Sequence, residues 1–445
     1  MTDQVSLNSR EGRGILLATI LPSAMAIIFG TAITIALPAI QEYFQTDFAG
    51  IQWIVTAYTL TLGVLILISG ALGDMFGRKR VFVTGIAIFM IGSLISGFVQ
   101  AIIPLIVLQV IIGIGAAMTI PGSMAIINTC INDKQRGRAI GLWTGFITGG
   151  AVVAPFLGGS LVEAFNWQAV FFSNVIIGLL ALLVATRFIP KDEGLRSRTL
   201  DWLGIILIGV GLFGVSFGLI QGSTLSLVLG LGLLPLFAIR ETRASHPLVP
   251  PDMFKSSLVT GANLATLFLY TALNGLIFYL ILNFQQVHNF SPLQTGLAFM
   301  PAPLIITILA GPFGSLADKI GPRIPMMVGP ALVSVAFFLL AFTGPDSNYF
   351  TRFLPGLVLH GIGMAVTVAP LTKSALAVPA KYSGAASGVN NAIARIAAPL
   401  AIAVFGLLVK DSLADGFRII MAIGAGLALI SVATSYFTIK NTQAT

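Results

Sequence analysis

The sequence predicts an all-α polytopic membrane protein of fourteen transmembrane helices: two six-helix bundles related by pseudo-twofold symmetry, with two further helices inserted between them. Three observations predict this class: charge is nearly absent, apolar runs have membrane length, and one charged turn occurs twice. Of 445 residues, 56% are hydrophobic and only 9% charged, and the mean hydropathy is +0.96. A water-soluble domain carries roughly 25% charged residues, so most of this surface must face lipid. The 48 glycines and 22 prolines fit the same reading, because transmembrane helices tolerate both and small residues let backbones approach. The single cysteine, Cys130, excludes internal disulfides and a cysteine metal cluster. The net charge of +8 comes from no long basic run, which argues against nucleic acid as a partner.

A bilayer core takes about 20 apolar residues per helix. Taken in order, the stretches 14–40, 49–73, 81–100, 102–128, 139–163 and 167–189 make a first set of six. The first follows a polar start with no small-residue cleavage site, so it reads as a retained span. The shorter stretches 202–220 and 224–239 come next, and 258–286, 293–316, 324–343, 350–371, 384–409 and 416–438 make a second set of six. Domain limits follow: an N-terminal bundle over 1–190, an inserted pair with its linkers over 191–257, and a C-terminal bundle over 258–445.

Orientation rests on the excess of Lys and Arg in cytoplasmic loops. Alternating loops from the N-terminus collect Arg10, Arg13, Arg78, Lys79, Arg80, Lys134, Arg136, Arg138, Arg187, Lys191, Arg196, Arg198, Arg240, Arg243, Lys255, Lys319, Arg323, Lys373, Lys381 and Lys440 on one side. Only Arg352, Lys410 and Arg418 lie on the other, and Arg395 lies inside a span. The expectation is a multi-pass protein of the cell membrane with both termini cytoplasmic.

The stretch "GALGDMFGRK" (70–79) recurs as "GSLADKIGPR" (314–323), with Gly, Leu, Asp and Gly at the same spacing. Each copy follows an apolar hairpin on the cytoplasmic side. Two related halves with a substrate site near the bilayer midplane are the pattern of secondary transporters.

At these residues the chain resembles the major facilitator superfamily, whose signature between spans 2 and 3 is G-x-L-a-D-r-x-G-r-k. The resemblance implies a conformational latch at Gly70, Asp74, Gly77 and Arg78, with a second copy at Gly314, Asp318, Gly321 and Arg323. It is closest in kind to the fourteen-span drug/proton antiporter branch, through "ALPAI" (36–40), "QWIVTAYTL" (52–60), "GIGAAM" (113–118), "NWQAVFFSNVIIG" (166–178), "LDWLGIILIGVGL" (200–212) and "FSPLQTGLAFMPAPL" (290–304). "GAVVAPFLGG" (150–159) resembles the antiporter signature of span 5, keeping Gly150, Pro155, Gly158 and Gly159, with Ala154 in place of a glycine. Physically, the proline and glycines make a bent helix packed tightly on a neighbour.

Two departures stand out. The branch's span-1 Asp is Phe29 here, and its span-4 Arg and Gln are Gln109 and Ile112. A charge at mid-bilayer costs on the order of 2.5–3.5 kcal/mol and persists for a function, so either a coupling proton is carried elsewhere or transport does without that site. Arg395 and His360 lie deep in spans 13 and 12, and Asn391 stands one turn before Arg395. Thr31 and Thr34 share a face of span 1, and Asn263, Tyr270 and Asn274 form a stripe along span 9. With Gln109 and Gln285 these make the candidate substrate cavity, though each polar residue could equally tie helix to helix.

The expected function is export of amphipathic or drug-like molecules by alternating access, with protons a candidate coupling ion. The alternative is a uniporter or organic-anion carrier of the same fold. The expected partners are the lipid bilayer and a small-molecule substrate, with no cofactor or metal, and the chain is expected to act as a monomer. Enzyme readings are weak: "GVSFG" (214–218) matches G-x-S-x-G but sits within an apolar span, the glycine-rich 113–118 lacks a third loop glycine, and no H-E-x-x-H occurs.

Overall fold

The computed structural model describes residues 4–192, 194, 200–245, 247–379, 382–409 and 412–439. Of the loop cations, Arg196, Arg198, Lys381, Lys410 and Lys440 lie outside the described residues. Fourteen helices among the described residues are long and apolar enough to cross a membrane. They are α1 (Arg10–Phe44), α2 (Phe48–Phe76), α3 (Arg78–Ser96), α4 (Ile102–Cys130), α5 (Asp133–Ala164), α6 (Gln168–Phe188), α7 (Trp202–Gln221), α8 (Thr224–Arg243), α9 (Ser257–Val287), α10 (Pro292–Ile320), α11 (Arg323–Ala341), α12 (Tyr349–Ala375), α13 (Ser383–Gly406) and α14 (Leu413–Thr438).

Their starts follow from local chemistry. A helix leaves its first backbone N–H groups without partners, and a short polar side chain just before it accepts from one of them. Ser9 accepts from Gly12 N, Asp47 from Gly50 N, Asn132 from Gln135 N and Ser412 from Asp415 N. The "SPLQ" segment quoted above is a helix start of this kind: Ser291 and Gln294 form a reciprocal capping box with Pro292 in the first turn. Ahead of α1, residues 5–7 are anchored rather than free. Val5 N donates to Cys130 O at 2.8 Å, Asn132 N to Val5 O at 3.1 Å, and Leu7 N to Gln135 Oε1 at 2.7 Å.

The chain divides into two compact units, Met1–Ile205 and Ile206–Thr445. Within the first, the main pairings are α3 with α4 and α6, α2 with α4, and α1 with α4, α5 and α6. Within the second they are α11 with α12 and α14, α10 with α12, and α9 with α12, α13 and α14. Adding eight to every helix number turns the first scheme into the second, so the sequence repeat is also a packing repeat. The inserted α7 and α8 pack on one another through glycine. A methyl group on Gly214 would lie 3.0 Å from Gly230 Cα, and one on Gly218 would lie 2.6 Å from Leu227 N. The G-x-S-x-G glycines are therefore packing residues.

Close backbone approaches between α3 and α4 and between α11 and α12 are made at equivalent places. A methyl group on Gly115 would come within 2.7 Å of Gly85 O, and one on Gly363 within 2.7 Å of Gly329 O. Gly85 and Gly329 are separated by 244 residues, the interval between Gly70 and Gly314. Lipid gives helices no hydrophobic reason to associate, so such contacts carry much of the packing energy. Gly115→Leu and Gly363→Leu should each destabilise the protein by about 1–3 kcal/mol. Gly141→Leu and Gly426→Leu, where nothing lies within 4 Å, should change the melting temperature in detergent far less; equal losses at all four would refute the role given to the close contacts.

Candidate functional site

The two charged turns share a backbone and differ in their ion pairs. Each bends at a glycine with positive φ, Gly77 at 91° and Gly321 at 83°, a conformation that side chains with a Cβ rarely adopt. In the first turn Arg78 pairs with Asp74 at 3.1 Å and also donates to Ala125 O at 3.5 Å. In the second, Pro322 stands where Arg78 stands and has no charge to offer. Asp318 instead pairs with Lys373 near the end of α12, and the 248-residue interval that relates Gly115 to Gly363 also relates Ala125 to Lys373. The cation has moved from the turn to the neighbouring helix.

Arg323, expected beside Asp318, turns elsewhere. It donates to Tyr436 O at 3.2 Å and lies 5.0 Å over the Tyr436 ring, a cation–π contact. Its counterpart Lys79 donates to Thr186 O at 2.8 Å and to Ile189 O. Both basic residues thus satisfy carbonyls at the ends of α6 and α14, where a positive charge suits the helix dipole. The first unit adds a reciprocal contact: the Asp192 carboxylate accepts from Arg78 N at 2.6 Å and Lys79 N at 3.0 Å, capping α3 from the linker beyond α6. Gly194 seats that linker closely, since a methyl group there would meet Met75 O at 2.0 Å. Of the other latch glycines, Gly70 has nothing within 4 Å of a Cβ position, and a Cβ on Gly314 would meet Ala369 Cβ at 3.1 Å.

The span-5 motif packs α5 on α1. A methyl group on Gly158 would lie 2.7 Å from Ala32 Cα, Gly150 faces Ala24 and Ile28, and Pro155 and Gly159 are buried.

The departures from the branch pattern have a structural setting. Phe29 is fully buried and stacks edge-on with Tyr58, Phe89 and Phe171 at ring-centroid distances of 5.2, 5.5 and 5.6 Å. Tyr58 in turn donates to Ala26 O at 3.1 Å. Where the branch keeps a carboxylate, four helices of this chain meet in an aromatic cluster. Gln109 is fully buried, and neither polar atom of its side chain has a hydrogen-bond partner.

The remaining candidates sort by exposure. In the first unit Thr31 is half-buried, while Thr34 is buried and donates to Gly30 O at 2.9 Å. In the second, His360 is buried with its ring 5.8 Å from Phe337 and its Nδ1 without a partner. Gln285 is half-buried, and Asn391 is exposed and donates to Ser387 O at 3.0 Å. Of those on α9 and α13, Asn263 is bonded across the two helices. Asn390 donates to Thr266 Oγ1 at 3.0 Å and to the buried Asn263 at 3.3 Å, tying the two helices. Farther along the same helices, Arg395 lies within electrostatic reach of the half-buried Tyr270, whose carbonyl accepts from Asn274 at 2.7 Å. Sequence reasoning chose Asn391 and missed Asn390, Thr266, Lys373 and Asp192. One residue is about 100° around a helix, and only the packing of α13 on α9 tells which asparagine faces inward.

The Asp318–Lys373 pair is solvent-exposed, so it is worth about 0.2–1 kcal/mol to folding. Lys373→Ala is expected to leave the melting temperature within a few degrees while reducing transport several-fold, and the exchange Asp318→Lys with Lys373→Asp should restore a good part of it. Full activity in Lys373→Ala would remove the pair from the mechanism.

Residues 20–402 and, again, 263–444 match the family described as Major Facilitator Superfamily. The chain is 30% identical over 414 residues to the tetracenomycin C resistance and export protein of Streptomyces glaucescens, covering 90% of this chain and 77% of that one. It is 30% identical over 403 residues to the multidrug resistance protein Stp of Mycobacterium tuberculosis (88% and 74%), and 29% identical over 450 residues to the puromycin resistance protein pur8 of Streptomyces alboniger (94% and 89%). Among solved structures, a POT family transporter in complex with a thioalcohol-conjugated peptide has a TM-score of 0.77 at 16% identity, covering 98% of this chain and 99% of that one. A bacterial homolog of the human lysosomal transporter Spinster has a TM-score of 0.70 at 18% identity, covering 97% of each. On this evidence the chain belongs to the Major Facilitator Superfamily and is a multi-pass membrane transporter, not an enzyme.

Proposed function

We propose that this transporter is a monomeric secondary carrier that exports amphipathic, drug-like molecules across the cell membrane by alternating access, with both termini in the cytoplasm. The observation that carries the reading is the repeated helix-pairing scheme with a charged turn at the same place in each unit. Two equivalent bundles are what a rocking mechanism needs, and resistance and export proteins are prominent among the relatives. The few polar side chains on largely apolar helices suit an amphipathic substrate better than a sugar. In this reading the turns act as latches, with Asp74–Arg78 and Asp318–Lys373 breaking and reforming as the bundles move. The test is growth of an efflux-deficient host on a compound panel. Wild type should raise resistance to some compounds, and Asp74→Asn, inserted normally, should lose most of that gain; a panel with no response to the wild type would count against export.

Coupling, in this reading, does not run through span 1, because Phe29 sits in a dry aromatic cluster where the branch has its Asp. In proteoliposomes bearing a proton gradient, Phe29→Leu should therefore transport with an unchanged dependence on that gradient. If wild-type transport runs without moving internal pH at all, proton antiport is excluded and the uniporter reading takes its place.

A further inference from the structure

We infer that the exporter selects molecules bearing an ionised acidic group, with Arg395 as the counter-ion, and discriminates against permanent cations. The inference rests on the export reading above and adds the substrate's charge. Every described Asp and Glu lies outside the fourteen helices or within the first or last three residues of one. Arg395 stands twelve residues after the first residue of α13 and eleven before its last. Among the described residues no other Lys or Arg lies more than five residues inside a helix. Among the described residues the mid-depth of the helices therefore holds one charged side chain, and it is positive.

Arg395 is also uncompensated. Among the described residues it forms no ion pair, and it is half-buried rather than splayed at a helix end. Its position is set by packing: the Asn390 contacts to Thr266 and Asn263 fix α13 against α9 five residues earlier, and Tyr270 lies within electrostatic reach of the guanidinium. A guanidinium offers a planar fork of donors that fits carboxylate, phenolate or sulfonate oxygens, and a tyrosine hydroxyl can add one more. In a medium of low dielectric such a pair is strong, whereas a cation would meet like charge with no carboxylate at that depth to offset it. An anion arriving with its own apolar body supplies the charge the helices lack.

The test uses two dyes that share a xanthene frame and differ in charge: fluorescein, an anion, and rhodamine 123, a cation. Binding to the purified full-length protein is read by fluorescence anisotropy, and efflux is read separately in vesicles. Wild type should bind fluorescein at least tenfold more tightly than rhodamine 123. Arg395→Gln should lose about tenfold or more for fluorescein with rhodamine 123 binding unchanged or improved, and Arg395→Lys should recover part of the loss. The unchanged rhodamine value guards against a misfolded variant, and Arg395→Lys provides a second measurement if Arg395→Gln does not fold. The inference is overturned if wild type fails to bind fluorescein, binds both dyes alike, or keeps its preference in Arg395→Gln. Fluorescein binding without any efflux would instead sink the export reading and leave this assignment standing, whereas efflux of rhodamine 123 without fluorescein binding would do the reverse.

Discussion

Close backbone contact is the constraint on which the two bundles depend. In lipid, apolar side chains gain nothing by leaving their surroundings, so helices hold together by van der Waals contact and a few hydrogen bonds. Gly85 against Gly115 and Gly329 against Gly363 bring third and fourth helices to a separation that no larger residue permits. Gly158 against Ala32 performs the same service between the fifth and first helices. The polar ties are sparse and local by comparison. Ser23 and Ser123 meet at 2.8 Å between α1 and α4, Ser123 donates onward to Thr19 O at 3.0 Å, and Asn390 bridges α13 to α9.

Charge is governed by the opposite rule: it is driven to the helix ends and there reused as structure. Lys79 and Arg323 satisfy terminal carbonyls, Asp192 satisfies terminal amides, and Asp74 and Asp318 each hold a cation. The second turn shows that the arrangement tolerates relocation. When proline occupied the place of the turn's arginine, the carboxylate kept a partner because a lysine stands at the corresponding level of the fourth helix. The electrostatic function of the turn is thus held by geometry rather than by any single position.

Much of this was legible in the sequence. Fourteen apolar stretches became fourteen helices, with every end within about six residues of its expected place, because length and hydropathy leave few alternatives in a bilayer. The glycine at each charged turn was legible only as part of the repeat; its positive φ, 91° at Gly77 and 83° at Gly321, came from the structure. What stayed hidden depended on rotation and on distant neighbours. Lys373 read as one loop cation among many, and its pairing with Asp318 spans 55 residues. Asn390 and Asn391 differ by one step around a helix. Gln109 looked like a cavity residue and is sealed, because the packing of neighbouring helices, invisible in a single helical pattern, closes over it.

The aromatic cluster around Phe29 also limits how this carrier can change. A carboxylate introduced at that position by one substitution would enter a space walled by three rings. It would surrender its proton only at considerable cost, and so would begin as a neutral acid with nothing to exchange. An ionised carboxylate at this position would therefore need a repacking of the four helices that meet there.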